Sequence, residues 1–183
     1  MLRTVSRNGT PMILDKKTSF TFAVLTMSDK GARGEREDTS GAYLQERLAA
    51  EGYILQSYMI IPDQKQVIID QLKAFADDMQ VPLIVTTGGT GVSPSDVTPE
   101  AMNEVLEREI PGMAEAMRSA SLLKTPRAML SRGKVGIRKG SLIINFPGSL
   151  KAVKENLEVV LPVLLHALEK ISGSASDCGA PTE

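Results

Sequence analysis

Short apolar runs alternate with stretches of helical period along most of this chain. Residues 20–27 and 82–86 are compact and almost wholly apolar, which suits buried strands, and 53–61 is read as a further strand. The segment 40–51 places Leu44 and Leu48 on one helical face and stops at Gly52. Asp63-Gln64-Lys65-Gln66 matches the capping-box pattern, and Ile68, Leu72, Phe75 and Met79 follow it at helical spacing. Thr98 is predicted to cap a helix that has Pro99 in its first turn and continues through 101–107. Pro111-Gly112 is read as a break before a helix over 113–120. Strands are predicted over 128–137 and 141–146, joined by a turn at Arg138-Lys139-Gly140. The last helix, 149–171, has Leu150, Val153, Leu157, Leu161, Leu164, Leu168 and Ile171 on its buried side, with a kink expected at Pro162.

Strands that alternate with helices imply an α/β fold, a three-layer α/β/α sandwich with a mainly parallel sheet. One domain over 19–172 is expected. Before it, residues 1–18 carry Arg7-Asn8-Gly9-Thr10 between apolar positions and read as a short hairpin or an arm. After it, 173–183 is small and polar and reads as a disordered tail.

The 183 residues suit one domain, and 42% hydrophobic residues are enough for a substantial core. A formal net charge of −1 argues against a non-specific nucleic-acid partner. The single cysteine, Cys178, cannot form an internal disulfide and has no metal-ligand spacing around it. The N-terminus lacks the apolar stretch of a signal peptide, and no run approaches the ~20 apolar residues of a membrane span. A reducing, cytoplasmic location without a membrane partner is the expectation.

Open α/β sheets bind ligands beyond the carboxyl ends of their strands, so the residues that follow each strand carry the candidate chemistry. After the first come Ser28, Asp29, Lys30 and Gly31. After the second come Pro62 and Asp63. Thr87, Gly88, Gly89, Thr90 and Gly91 follow the third and lead into Ser93-Pro94-Ser95-Asp96. Asn145, Phe146, Pro147, Gly148 and Ser149 close the last. Three glycines and three threonines within Thr86 to Gly91 suit backbone N–H groups and hydroxyls that approach a phosphate. Taken alone, a tight turn that needs positive φ explains the glycines as well, but their company with three threonines directly after a buried strand favours phosphate. The segment lacks the ending of a P-loop, and no Gly-x-Gly-x-x-Gly follows the first strand. Asp63 can cap a helix and Asp96 can serve a turn, yet both fall at the same sheet edge. Two carboxylates beside phosphates suit Mg²⁺. Gly148-Ser149 at a helix start offers a second anion site or a plain N-cap. Lys30, Arg33 and Arg36 can supply positive charge or be solvated. The only histidine, His166, lies far along the last helix and reads as a surface or packing residue, so nucleophilic catalysis through a histidine base is disfavoured.

Taken together these segments resemble the MogA/MoaB family of molybdenum-cofactor biosynthesis proteins, whose domain also occurs in gephyrin. The residues that carry the resemblance are Thr86-Thr87-Gly88-Gly89-Thr90-Gly91-Val92-Ser93-Pro94-Ser95-Asp96-Val97-Thr98-Pro99-Glu100-Ala101. Support comes from Ser28-Asp29-Lys30, Ile61-Pro62-Asp63, Arg108-Glu109-Ile110-Pro111-Gly112, Leu130-Ser131-Arg132 and Asn145-Phe146-Pro147-Gly148-Ser149. The likeness covers roughly 20–172 and implies that 19–172 is a molybdopterin-binding domain. It further implies a homotrimer or hexamer and Mg-ATP-dependent adenylylation of molybdopterin, with pyrophosphate released. A downstream molybdenum insertion protein would receive the product. On the resemblance, Asp63 and Asp96 are the essential aspartates and hold Mg²⁺. The nucleotide and phosphate loop falls on Gly88 to Gly91, and the pterin contacts fall around Ser28, Asp29, Gly148 and Ser149. A phosphate monoester is already an anion, which accords with a site without histidine. The chain departs from the family in its extra N-terminal residues, in Lys30 for a common arginine and in Ser95 for a common basic residue. It resembles the shorter branch, so a molybdopterin carrier or scaffold without adenylyl transfer is the alternative.

Overall fold

The computed structural model describes residues 20–173. The arm or hairpin expected over 1–18, and all of the expected tail beyond Gly173, lie outside the described residues.

Among the described residues six strands form one sheet: β1 (Thr21–Met27), β2 (Ile54–Ile61), β3 (Leu83–Thr87), β4 (Arg108–Glu109), β5 (Val135–Arg138) and β6 (Ser141–Phe146). Their spatial order is β2-β1-β3-β6-β5-β4. The pairings β1/β2, β1/β3 and β3/β6 are parallel, and β4 and β5 extend the sheet antiparallel beyond β6. The helices are α1 (Asp29–Ala32), α2 (Thr39–Ala50), α3 (Lys65–Lys73), α4 (Thr98–Val105), α5 (Pro111–Leu122) and α6 (Leu150–Ile171). The α/β class, the layered arrangement and the mainly parallel sheet agree with the sequence pattern; the antiparallel pairings of β4 and β5 make the sheet mixed.

Strand alternation sorts the core into two halves. Phe22 and Val24 of β1, with Leu83 and Val85 of β3, face Leu44 and Leu48 of α2 and the apolar stripes of α5 and α6. Ala23 and Leu25, with Ile84, face Ile68, Leu72 and Phe75 on one side and Ala101 and Met102 of α4. Strands β1 and β3 are thus buried on both faces, which is why they read as continuous apolar runs, whereas the edge strand β2 is largely exposed.

Several local expectations fail for identifiable reasons. The capping box at Asp63 does not form: α3 starts at Lys65 with Gln64 at its cap and no side-chain capping bond. Thr98 is the first helical residue of α4 rather than its cap, which is Val97. The helix behind α3 widens into a π-turn over Ala74–Asp78. That turn shifts the helical phase, so Ile68, Leu72 and Phe75 are buried while Met79 is exposed. Pro111-Gly112 opens α5 instead of breaking the chain, since proline at the first position loses no helical bond. The strand expected over 128–137 begins only at Val135, and Pro126–Leu130 is a 3₁₀ turn that leaves Met129 and Leu130 exposed. The segment directly after β1 forms a short helix, α1, capped by the Ser28 hydroxyl. Helix α6 runs unbroken through Pro162, which lies on its exposed side.

The β5–β6 turn is tied to the opposite layer by one buried-edge cluster. Arg138 donates through Nε and Nη2 to Asp77 at 2.9 and 2.5 Å, and through Nη1 to the Val105 carbonyl at 3.1 Å. The Arg138 hydrogen bonds hold the Asp77 carboxyl below its usual value of 3.8.

Replacing Ile144, fully buried in the middle of the sheet, by alanine should lower the unfolding free energy by about 2–5 kcal/mol in urea titrations. Asp77→Asn should destabilise at neutral pH. Because the folded carboxyl lies below its unfolded value near 3.8, the gap between variant and native protein should close as pH falls through the depressed value. A gap that persists in strong acid would contradict the ion pair as its cause.

Candidate functional site

The central strands end at one level. Met27 pairs with Ile61, Thr26 with Thr87 and Thr87 with Phe146. The chain leaves β1 toward α2 on one face and β3 toward α4 on the other. The sheet therefore has its switch point between β1 and β3, where an α/β fold opens a crevice. A polar cleft of about 400 Å³ occupies that crevice.

Of the residues singled out in the sequence, Ser28, Asp63, Thr87, Gly88, Gly89, Asp96, Gly148 and Ser149 line this cleft. Asp29 does not. Its N–H donates to Asp63 Oδ2 at 3.0 Å, while its Oδ1 accepts from the Asp63 N–H at 3.1 Å. This reciprocal pair latches the loops after β1 and β2 together, and it is what Asp63 does instead of capping α3. Burial pushes the Asp63 carboxyl above its usual 3.8. The Asp29 N–H pulls it back, and the charges of Asp29 and Asp96 push it further up.

Gly88 and Gly89 both adopt positive φ, 107° and 63°. A Cβ on Gly88 would lie 2.4 Å from the Met27 carbonyl oxygen, and one on Gly89 would lie 2.2 Å from Thr98 Oγ1. The tight turn therefore explains this pair in full, and its close approach opens the cleft floor at the same time. Part of the expected donor set is committed within the protein. The Gly88 N–H donates to the Phe146 carbonyl at 3.2 Å, and Thr87 Oγ1 donates to the Pro147 carbonyl at 2.7 Å. Thr86 Oγ1 accepts from Asn145 Nδ2 at 2.9 Å. Gly91 has a different reason: a Cβ there would meet Asp96 Oδ2 at 2.7 Å. That same Oδ2 accepts the Ser93 N–H at 2.8 Å, so Ser93 shapes the aspartate turn and lies outside the cleft.

Thr90, Gly91, Asn145 and Pro147 line a second cavity of about 270 Å³, against α5, α6 and the 3₁₀ turn. Ser149 borders both. Its walls include Met117, Ala128 and Leu130, with Arg118 and Arg127 among them. Asn145 is 1% exposed, and its Oδ1 has no hydrogen-bond partner. A buried acceptor left open at a cavity wall suits a ligand N–H or a water. The candidate residues thus divide between two adjoining rooms, one polar and one largely apolar.

Sequence reasoning missed Asp38, which organises the rim. Its carboxylate accepts from the Gly41 N–H at 2.8 Å, from Thr26 Oγ1 at 2.5 Å and from the Tyr58 hydroxyl at 2.7 Å. It caps α2 and lines the polar cleft with Arg36 and Ser40. Ser40 Oγ in turn donates to the Gly148 carbonyl at 3.0 Å. An aspartate directly before Thr39-Ser40-Gly41 at a helix start was the signal available. Burial, and then the Asp38 bond, push the Tyr58 hydroxyl upward. Arg118 and Arg127 of the second cavity had no local pattern to mark them. His166 is exposed on α6.

Among the described residues no group of three or more His, Cys, Asp or Glu side chains is placed to hold a metal. Asp63 and Asp96, both in the lining of the polar cleft, could serve a hard cation whose shell is completed by water and phosphate oxygens, as Mg²⁺ prefers. No helix of the described residues is long and apolar enough to cross a membrane.

A family profile described as "Probable molybdopterin binding domain" matches residues 23–166. A Helicobacter pylori (strain J99) protein named molybdopterin adenylyltransferase is 42% identical over 157 residues, which cover 84% of this chain and 88% of that protein. A Haemophilus influenzae protein of the same name is 42% identical over 142 residues, covering 76% and 72%. Among solved structures, the molybdopterin biosynthesis enzyme MoaB of Thermus thermophilus is 49% identical with a TM-score of 0.80, covering 84% of this chain and 97% of that one.

Gly89→Ala should destabilise the fold by about 1–3 kcal/mol, since the new methyl and the Thr98 hydroxyl compete for one volume. Adding Thr98→Ala should recover part of that loss in thermal denaturation. Equal stability of the single and double variants would show that backbone strain, not the contact, is the cause.

Proposed function

The chain belongs to the molybdenum-cofactor biosynthesis family of molybdopterin-binding domains, and from that premise we propose that it is a molybdopterin adenylyltransferase. The observation that carries this reading is the pair of adjoining rooms at one sheet edge. The polar room sets the Asp63 and Asp96 carboxylates beside a glycine turn, and the apolar room ends on an open amide acceptor. Two substrates that must meet through phosphate suit such a partition. The relatives named for this activity, at 42% identity over most of the chain, support it.

The reaction joins the terminal phosphate of molybdopterin to the α-phosphorus of ATP. A phosphate oxygen forms the new P–O bond, the bond from the α-phosphorus to the bridging β-oxygen breaks, and pyrophosphate leaves with that electron pair. The nucleophile is already ionised, so no general base is required. What the chain supplies is orientation and charge complementarity. The left-handed Gly88-Gly89 turn keeps side chains out of the floor. Ser149 caps α6 through a bond to the Ala152 N–H and stands at the boundary between the rooms. The Asp29–Asp63 latch fixes one carboxylate and the Ser93 N–H fixes the other. Mg²⁺, when bound by Asp63 and Asp96, would neutralise phosphate charge. On this reading the assembly is a homotrimer or hexamer in the cytoplasm, and the product passes to a molybdenum insertion protein.

Pyrophosphate release should require molybdopterin, ATP and Mg²⁺ together, and Asp96→Asn should lower it by about 100-fold or more. The asparagine still accepts the Ser93 N–H, so the melting temperature should change little. Tight pterin binding without nucleotide consumption would instead establish the carrier alternative. Mg²⁺ takes the carboxylate form of Asp63, whose folded value is raised. Cation affinity should therefore fall as pH drops through that raised value, at higher pH than an ordinary aspartate would give.

A further inference from the structure

Arg132 belongs to a segment that the family resemblance includes but to which no role has been given. It lies between the 3₁₀ turn Pro126–Leu130 and β5, and its own N–H donates to the Thr90 carbonyl at 2.8 Å. Its guanidinium reaches across the loop that carries Asp96. Nε donates to the Gly91 carbonyl at 2.8 Å and Nη2 to the Asp96 carbonyl at 2.5 Å, while Nη1 pairs with Glu100. One residue thus holds the loop at its beginning, at the aspartate and just inside α4.

The loop has little else to define it. Its internal ties are short-range: Ser93 N–H to Asp96 Oδ2 at 2.8 Å, the Ser93 and Ser95 hydroxyls at 3.1 Å, Asp96 N–H to the Ser93 carbonyl at 2.9 Å and Val97 N–H to the Ser95 carbonyl at 3.0 Å. Residues 92–95 are exposed, so packing does not hold them. The Arg132–Glu100 pair cannot account for the arrangement either, because its side chains are 38% and 43% exposed and such pairs contribute little. The bonds that use the planar fork are the two onto the Gly91 and Asp96 carbonyls, and an ammonium could not reproduce both at once. Because a Cβ at Gly91 would strike Asp96 Oδ2, the carboxylate lies against the very residue whose carbonyl Arg132 grips.

Resting on the reading that Asp96 holds the cation of adenylyl transfer, we propose that Arg132 is a positioning residue that sets the Asp96 carboxylate by bracing the 91–96 loop, without touching substrate. The cost of losing it falls on the geometry of the cation site and on turnover more than on the affinity for molybdopterin.

The test compares native protein with Arg132→Met, Arg132→Lys and Glu100→Gln. It reads Mn²⁺ binding by electron paramagnetic resonance, amide hydrogen exchange across 91–97, and kcat and KM. Arg132→Met and Arg132→Lys should both weaken Mn²⁺ binding by about 10- to 100-fold, the range for losing a group that orients a metal ligand. Loop amides should exchange faster in both, and kcat should fall while KM for molybdopterin holds. Glu100→Gln loses the ion pair but keeps the fork, and should match the native protein in Mn²⁺ affinity and loop exchange. Arg132→Lys retains the charge opposite Glu100, so it provides a folded variant if the methionine substitution does not fold. Native Mn²⁺ affinity and loop exchange in either arginine variant would overturn the proposal, as would equal losses in Glu100→Gln. Absence of Mn²⁺ binding in the native protein would defeat the cation reading of Asp96, while the exchange rates would still decide whether Arg132 braces the loop.

Discussion

The parallel ladders that pair Met27 with Ile61, Thr26 with Thr87 and Thr87 with Phe146 stop the central strands at one level. Everything chemically notable follows within a few residues of that level. Register is held by burial on both faces, because a slip of one residue would send Phe22 and Val24 into the layer built for Ala23 and Leu25. The apolar core therefore fixes the relative height of loops that are far apart in sequence. The Asp29–Asp63 latch and the Thr87 to Pro147 bond span 34 and 60 residues and can form only because the strands beneath them are aligned.

The glycine turn illustrates how structural and chemical demands share one set of atoms. Gly88 and Gly89 are required by their backbone conformation and by the close passage of Met27 and Thr98. The same compactness consumes the Gly88 N–H and the Thr86 and Thr87 hydroxyls in bonds to neighbouring strands. Much of the apparent anion-binding capacity of the segment thus goes into closing the sheet edge. What stays open toward the cleft is a floor free of side chains, with the Asp63 and Asp96 carboxylates in its lining.

The two rooms are joined through shared walls. Asp38 ties the start of α2 to β1 and β2 at the rim of the polar cleft, and Ser40 carries that connection to Gly148. Asn145 lies at the apolar room and bonds back to Thr86 under the glycine turn. Arg132, between Ser131 and Gly133 of the apolar room's lining, grips the loop of the polar one.

By itself the sequence determined the α/β class, the central strands, the long final helix and the loops that meet at one sheet edge to line the cleft. Those features rest on apolar periodicity and on glycine, serine and aspartate placement, which are local properties of neighbouring residues. Local signals also misled where several local structures could use the same residues. Asp63 has a capping-box context but finds a stronger partner in the Asp29 N–H, and Thr98 is drawn under Gly89 rather than placed at a cap. The antiparallel placement of β4 and β5 and the exposure of Met129 and Leu130 depend on which strand had a free edge, a question no window of sequence poses. Only the tertiary structure divided the candidate residues between two rooms, brought in Asp38, Arg118 and Arg127, and turned Arg132 toward Gly91 and Asp96. Side-chain contacts across 36 or 41 residues are set by how the layers pack, and packing is a property of the whole chain.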